Sequence, residues 1–129
     1  MNPEQIKIMV VDDEPFMHRL MEYHLTREGY GILSARNGRE GVELASTEKP
    51  GLVILDMMMP EMDGLTALKK LKEKDETKRI PVIMITTSAH PLTREQSEAS
   101  GAALFLTKPF SPTRLMQEIK RLLAESSGA

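Results

Sequence analysis

Ile6-Lys7-Ile8-Met9-Val10-Val11-Asp12-Asp13 and Leu52-Val53-Ile54-Leu55-Asp56 decide how this chain folds. Each is a short apolar run that ends in acid. A run as uninterrupted as 52–55 must be buried on both faces, which requires helices above and below a parallel sheet. If the two runs are neighbouring parallel strands, their carboxyl ends lie side by side, and open α/β sheets bind ligands in that crevice. Asp12, Asp13 and Asp56 would then converge on one pocket. Close like charges resist simultaneous ionisation, so such a cluster needs a cation among the carboxylates or a basic group beside them. A divalent metal and Lys108 are the candidates.

Outward from these runs, strand and helix signals alternate. Met17, Leu20, Met21, His24 and Leu25 recur at helical spacing, and Gly29 closes that helix. Residues 32–35 form a second strand. Asn37 and Glu40 make a capping box for a helix through Val42, Leu44 and Ala45, stopped by Pro50-Gly51. Asp63-Gly64 opens a helix with Leu65, Leu68 and Leu71 on one side and lysines on the other. Pro81 precedes a fourth strand, Val82-Ile83-Met84-Ile85-Thr86, and a poorly striped helix over 92–100 ends at Gly101. The fifth strand is 103–107. Ser111-Pro112 supplies an N-cap and a first-turn proline for a last helix bearing Leu115, Met116, Ile119, Leu122 and Leu123. Five β-α units with right-handed crossovers predict a doubly wound, three-layer α/β sandwich on a parallel five-stranded sheet of order 2-1-3-4-5. The switch point falls between strands 1 and 3, where Asp12, Asp13 and Asp56 sit.

Composition limits the alternatives. The chain has 129 residues, 40% of them hydrophobic, enough for one core. A net charge of −2 gives no global attraction to nucleic acid or to an anionic membrane. The absence of cysteine removes disulfides and thiolate metal sites and suits a reducing cytoplasm. The first apolar run is short, lies between charged residues and lacks a cleavage pattern, so no signal peptide is expected. Nor does any stretch approach membrane-spanning length. The ten methionines scatter through the periodic segments and read mostly as adaptable core filler.

Four motifs, in order, carry a resemblance: Val-Val-Asp-Asp-Glu at 10–14, Asp-Met-Met-Met-Pro-Glu-Met-Asp-Gly at 56–64, Pro-Val-Ile-Met-Ile-Thr at 81–86 and Lys-Pro-Phe at 108–110. Together, over nearly the whole chain, they resemble the receiver domain of two-component response regulators, the CheY-like superfamily with a flavodoxin-like fold. The resemblance implies a role for each residue. Asp56 would be the phosphoacceptor, taking a phosphoryl group from a phosphohistidine of a sensor histidine kinase or a histidine phosphotransfer protein. Asp13 would bind Mg2+ directly, with Mn2+ also suitable, Asp12 would act through water, and the backbone carbonyl of Met58 would complete the protein ligands. Thr86 and Lys108 would hold the phosphoryl oxygens. Thr86 and Phe105 would form the switch, changing the affinity of the face built from helix 4, strand 5 and helix 5 for a downstream target. The protein would be a signalling phosphoacceptor and not an enzyme acting on other substrates, either a monomer or a weak, phosphorylation-linked dimer. Pro15, Phe16, His18 and Arg19, with Phe110 from the other edge, would meet the kinase at the pocket mouth.

Some positions depart from the commonest family pattern. Thr87 stands where receivers usually carry a smaller residue, so access to the phosphoryl group is expected to be narrowed. Neither Met58 nor Ser88, two positions after Asp56 and Thr86, is an obvious base. Phosphoryl lifetime is therefore expected to follow exposure. The domain is expected to span residues 1–125, with 126–129 a short tail or the start of a linker.

Each residue also has a plainer reading. Asp12-Asp13 could be helix N-terminal acids complementing the dipole, Thr86 an ordinary strand residue, Lys108 a solvated loop lysine, and Phe16 and Phe105 core. Other functional classes fare less well. A haloacid-dehalogenase-type phosphatase normally has a second aspartate at the position of Met58, and a flavin or nucleotide module would be repelled by Asp12-Asp13-Glu14. The remaining alternative is a receiver-like interaction module that works without phosphorylation.

Overall fold

The computed structural model describes residues 5–59, 62–87 and 91–127; Pro60, Glu61 and Ser88 of the stretches above lie outside them. Strands and helices alternate without exception along the chain: β1 (Lys7–Val11), α1 (Pro15–Arg27), β2 (Gly31–Ala35), α2 (Gly38–Glu48), β3 (Leu52–Asp56), α3 (Gly64–Glu73), β4 (Val82–Thr86), α4 (Pro91–Ala99), β5 (Leu104–Thr107) and α5 (Pro112–Ser127). All strands are parallel, in the order β2-β1-β3-β4-β5.

Successive strand residues point to opposite faces, and this divides the core in two. Ile8, Val10, Leu52, Ile54, Ile83, Ile85 and Leu106 meet Met17, Met21 and Leu25 of α1 and Leu115, Met116, Ile119 and Leu122 of α5. Met9, Val11, Val53, Leu55, Val82, Met84 and Phe105 meet Val42 and Ala45 of α2 and Ala67, Leu68 and Leu71 of α3. Every residue of β3 and β4 is buried, as continuous apolar runs require.

Helix ends follow local chemistry. The Asn37 side chain accepts a hydrogen bond from the Glu40 N–H at 2.9 Å, while the Glu40 carboxylate reaches back to the Arg36 N–H at 3.3 Å. Asp63 accepts from Thr66 N–H at 2.8 Å, and Ser111 Oγ accepts from Arg114 N–H at 3.2 Å. Helix α2 ends before Pro50-Gly51: Lys49 is its left-handed cap, at φ 48°. Gly64 matters most for the site. A Cβ there would collide with the Asp56 carbonyl oxygen and lie 2.7 Å from Met57 Cα, so only glycine lets α3 start this close to the end of β3.

Candidate phosphoacceptor pocket

Strand register assembles the pocket step by step. Val11 is level with Leu55, so Asp12 and Asp56 leave adjacent strands at the same height. Asp56 is level with Ile85, which puts Thr86 one step beyond it, and Thr86 is level with Thr107, which puts Lys108 one step further on. The Lys108 N–H donates to the Thr86 carbonyl at 2.7 Å, and the Lys108–Pro109 bond is cis.

One carboxylate oxygen from each of Asp12, Asp13 and Asp56 lies within 4.8 Å of the others. Their environments differ. Asp12 is 1% exposed and held on both oxygens: Oδ1 accepts the Glu14 N–H at 2.9 Å, and Oδ2 accepts Lys108 Nζ at 3.1 Å. Asp56 is 6% exposed, accepts the Met58 N–H at 3.3 Å and lies 4.0 Å from Lys108 Nζ. Asp13 is exposed and makes no ion pair among the described residues. Asp12 and Asp13 directly precede the N-cap of α1, which is Glu14 and makes no side-chain capping bond of its own.

Burial raises the Asp56 pKa from 3.8 to about 6; the charges of Asp12 and Asp13 add to this, while Lys108 and the Met58 N–H oppose it. Burial alone would lower Lys108, but the hydrogen bond and charge of Asp12, with the charges of Asp56 and Glu14, raise it instead. Lys108 is therefore a fixed ammonium ion, outnumbered by carboxylates. Hard oxygen donors, surplus negative charge and an open side at Asp13 fit a cation such as Mg2+ or Mn2+.

The other expected residues lie as follows. Thr86 is buried, Thr87 exposed, and Phe105 sits in the core between the sheet and α2–α3. Met58 has a 64% exposed side chain at the rim. Pro15 and Arg19 are exposed, Phe16 is 64% exposed, and Phe110 is half-buried against the α1–α5 core. Phe16, Met17, Leu20, Lys108, Pro109, Phe110 and Glu14 line a groove of about 260 Å³ beside the acids. His18, expected with these residues at the pocket mouth, does not line the groove: its ring faces inward, because Nε2 is held 2.6 Å from the Asp12 carbonyl oxygen. Sequence reasoning overlooked Glu14, whose carboxylate is 3.6 Å from Lys108 Nζ. The signal was present in the run of three acids, but its reach across to residue 108 was not.

A family model described as "Response regulator receiver domain" matches residues 8–120. The chain belongs to the response regulator receiver family. It is 37% identical over 120 residues to the alkaline phosphatase synthesis transcriptional regulatory protein PhoP of Bacillus subtilis, covering 93% of this chain and 49% of that protein. It is 39% identical over 117 residues to the transcriptional regulatory protein SrrA of Staphylococcus aureus, covering 91% and 47%. The receiver thus spans about half the length of the curated relatives it matches. Among solved structures, a CheY-like response regulator receiver domain protein of Methanospirillum hungatei superposes with a TM-score of 0.91 at 27% identity, over 97% of this receiver and 98% of that chain. No helix among the described residues is long and apolar enough to cross a membrane.

Proposed function

We propose that this receiver takes a phosphoryl group from a phosphohistidine onto Asp56 and reports it by changing the affinity of its α4–β5–α5 face for a target. The carrying observation is the convergence of Asp12, Asp13, Asp56 and Lys108 at one end of the sheet. An Asp56 carboxylate oxygen attacks phosphorus, the bond from phosphorus to the histidine nitrogen breaks, and the imidazole leaves with the electron pair. The product is an acyl phosphate. Lys108, 4.0 Å from Asp56, would neutralise the added charge, and the hydroxyl of Thr86, at the end of β4, would donate to a phosphoryl oxygen. Asp13 and Asp56, with Asp12 through water and the Met58 carbonyl, would hold Mg2+, which when bound supplies further charge neutralisation.

Asp12 already engages Lys108 and the Glu14 N–H, whereas Asp13 is exposed; this supports Asp13 as the direct ligand. Phe105 is buried among apolar side chains and carries no hydroxyl to satisfy, so the switch rests chiefly on Thr86. The donor, a sensor histidine kinase or phosphotransfer protein, docks on Pro15, Phe16, Arg19 and Phe110 around the groove, in the cytoplasm where such donors present their histidine. The test is intact mass after incubation with acetyl phosphate and Mg2+. The wild type gains one phosphoryl group and Asp56→Asn does not; equal gain by both would reject the assignment.

A further inference from the structure

We infer that His18 is a positioning residue that fixes the direction of Asp13 through the peptide bond joining it to Asp12; this rests on the phosphoacceptor reading. The Nε2 of His18 lies 2.6 Å from the Asp12 carbonyl oxygen, which can only accept, so Nε2 carries the proton. Nδ1 is buried with no hydrogen-bond partner among the described residues. An orphaned ring nitrogen is costly to bury. Among the described residues the ring's one hydrogen bond is the one to Asp12.

That bond acts on a particular part of the chain. The peptide unit is planar, so holding the Asp12 oxygen also sets the Asp13 nitrogen and Cα. Asp12 has other holds: its N–H donates to Ala35 O at 3.1 Å, and its carboxylate oxygens take Glu14 N–H and Lys108. The exposed Asp13 side chain makes no ion pair among the described residues, so the peptide plane behind it sets the point from which the carboxylate starts. His18 begins the second turn of α1, and Met17 and Met21 on either side are anchored in the core. The constraint on the acids is therefore tied to the body of the fold, and an inward ring at this position prearranges a cation ligand.

Partners that orient metal ligands typically contribute 10–100-fold to metal affinity. The experiment is Mg2+ titration by calorimetry on the wild type and on His18→Leu, His18→Gln and His18→Asn, with melting in chelator as the control for folding. Leucine should weaken Mg2+ about tenfold. Glutamine, whose amide N–H reaches as far as Nε2, should keep most of the affinity, while the shorter asparagine should not. Nitrogen NMR of the wild type should show a proton on Nε2, hydrogen-bonded to the Asp12 carbonyl. If leucine does not fold, the glutamine and asparagine pair decides alone. Equal affinity in those two variants, unchanged affinity in leucine, or an Nε2 without a proton would overturn the proposal. Absence of Mg2+ binding in the wild type would reject the phosphoacceptor reading itself.

Discussion

Replacing Asp56 with asparagine should make the metal-free protein more stable at neutral pH and change nothing in acid. An acid whose folded-state pKa lies above its unfolded value binds its proton more tightly when folded. The stability this confers is complete below pH 3.8 and is lost as the pH rises through about 6. Above that, the ionised carboxylate is a liability that the neutral amide lacks, while asparagine keeps an oxygen for the Met58 N–H. The rise from 3.8 to about 6 corresponds to about 3 kcal/mol. Water reaches the pocket beside the exposed Asp13 and Glu14, so about half of this is discounted for screening, leaving about 1–2 kcal/mol. For a domain of 129 residues that is about 4–7 °C in melting temperature. The assay is urea and thermal unfolding of both proteins in chelator between pH 4 and pH 8. The stability gap should open as pH rises through about 6. A gap independent of pH, or an asparagine variant less stable at pH 8, would refute the electrostatic account.

Mg2+ should raise the wild-type melting temperature by mass action, about 2.7 kcal/mol at a hundredfold excess over its Kd. Asp13→Ala should weaken that response more than Asp12→Ala, and a response equal in both variants would remove the distinction drawn between the two acids. Replacing Phe16 and Arg19 should slow transfer from the cognate kinase while sparing labelling by acetyl phosphate, which needs only the pocket; equal loss with both donors would place these residues in the pocket or the fold instead. Peroxide should oxidise Met58 before any other described methionine, since the rest are buried or half-buried. Peptide mass mapping that finds a core methionine oxidised first would contradict this packing.

The fold was legible because its signals are local. Unbroken apolar runs at β3 and β4, Asp63-Gly64 at the start of α3 and Ser111-Pro112 at the start of α5 each declare one element, and parallel pairing of β1 with β3 places their acids together. Features set by distant neighbours were not legible. The left-handed cap at Lys49 has no glycine to announce it, and the return bond of the capping box falls on Arg36 and not on Asn37. Helical spacing allows Phe16 and His18 either direction; only the groove against Phe110 and the carbonyl of Asp12 distinguish an outward phenylalanine from an inward histidine. Lys108 was read as a partner for the cluster as a whole; which acid its Nζ lies nearest, Asp12 at 3.1 Å with Asp56 at 4.0 Å, was not legible. Side-chain reach decides that, and no spacing rule contains it.

The central claim is that Asp56 becomes an acyl phosphate. Borohydride reduces an acyl phosphate on aspartate to homoserine, which marks the residue without any mutation. After exposure to acetyl phosphate and Mg2+, reduction and peptide sequencing by mass spectrometry should find homoserine at position 56 and at no other acid. Homoserine at position 12 or 13, or none in the presence of Mg2+, would contradict the account.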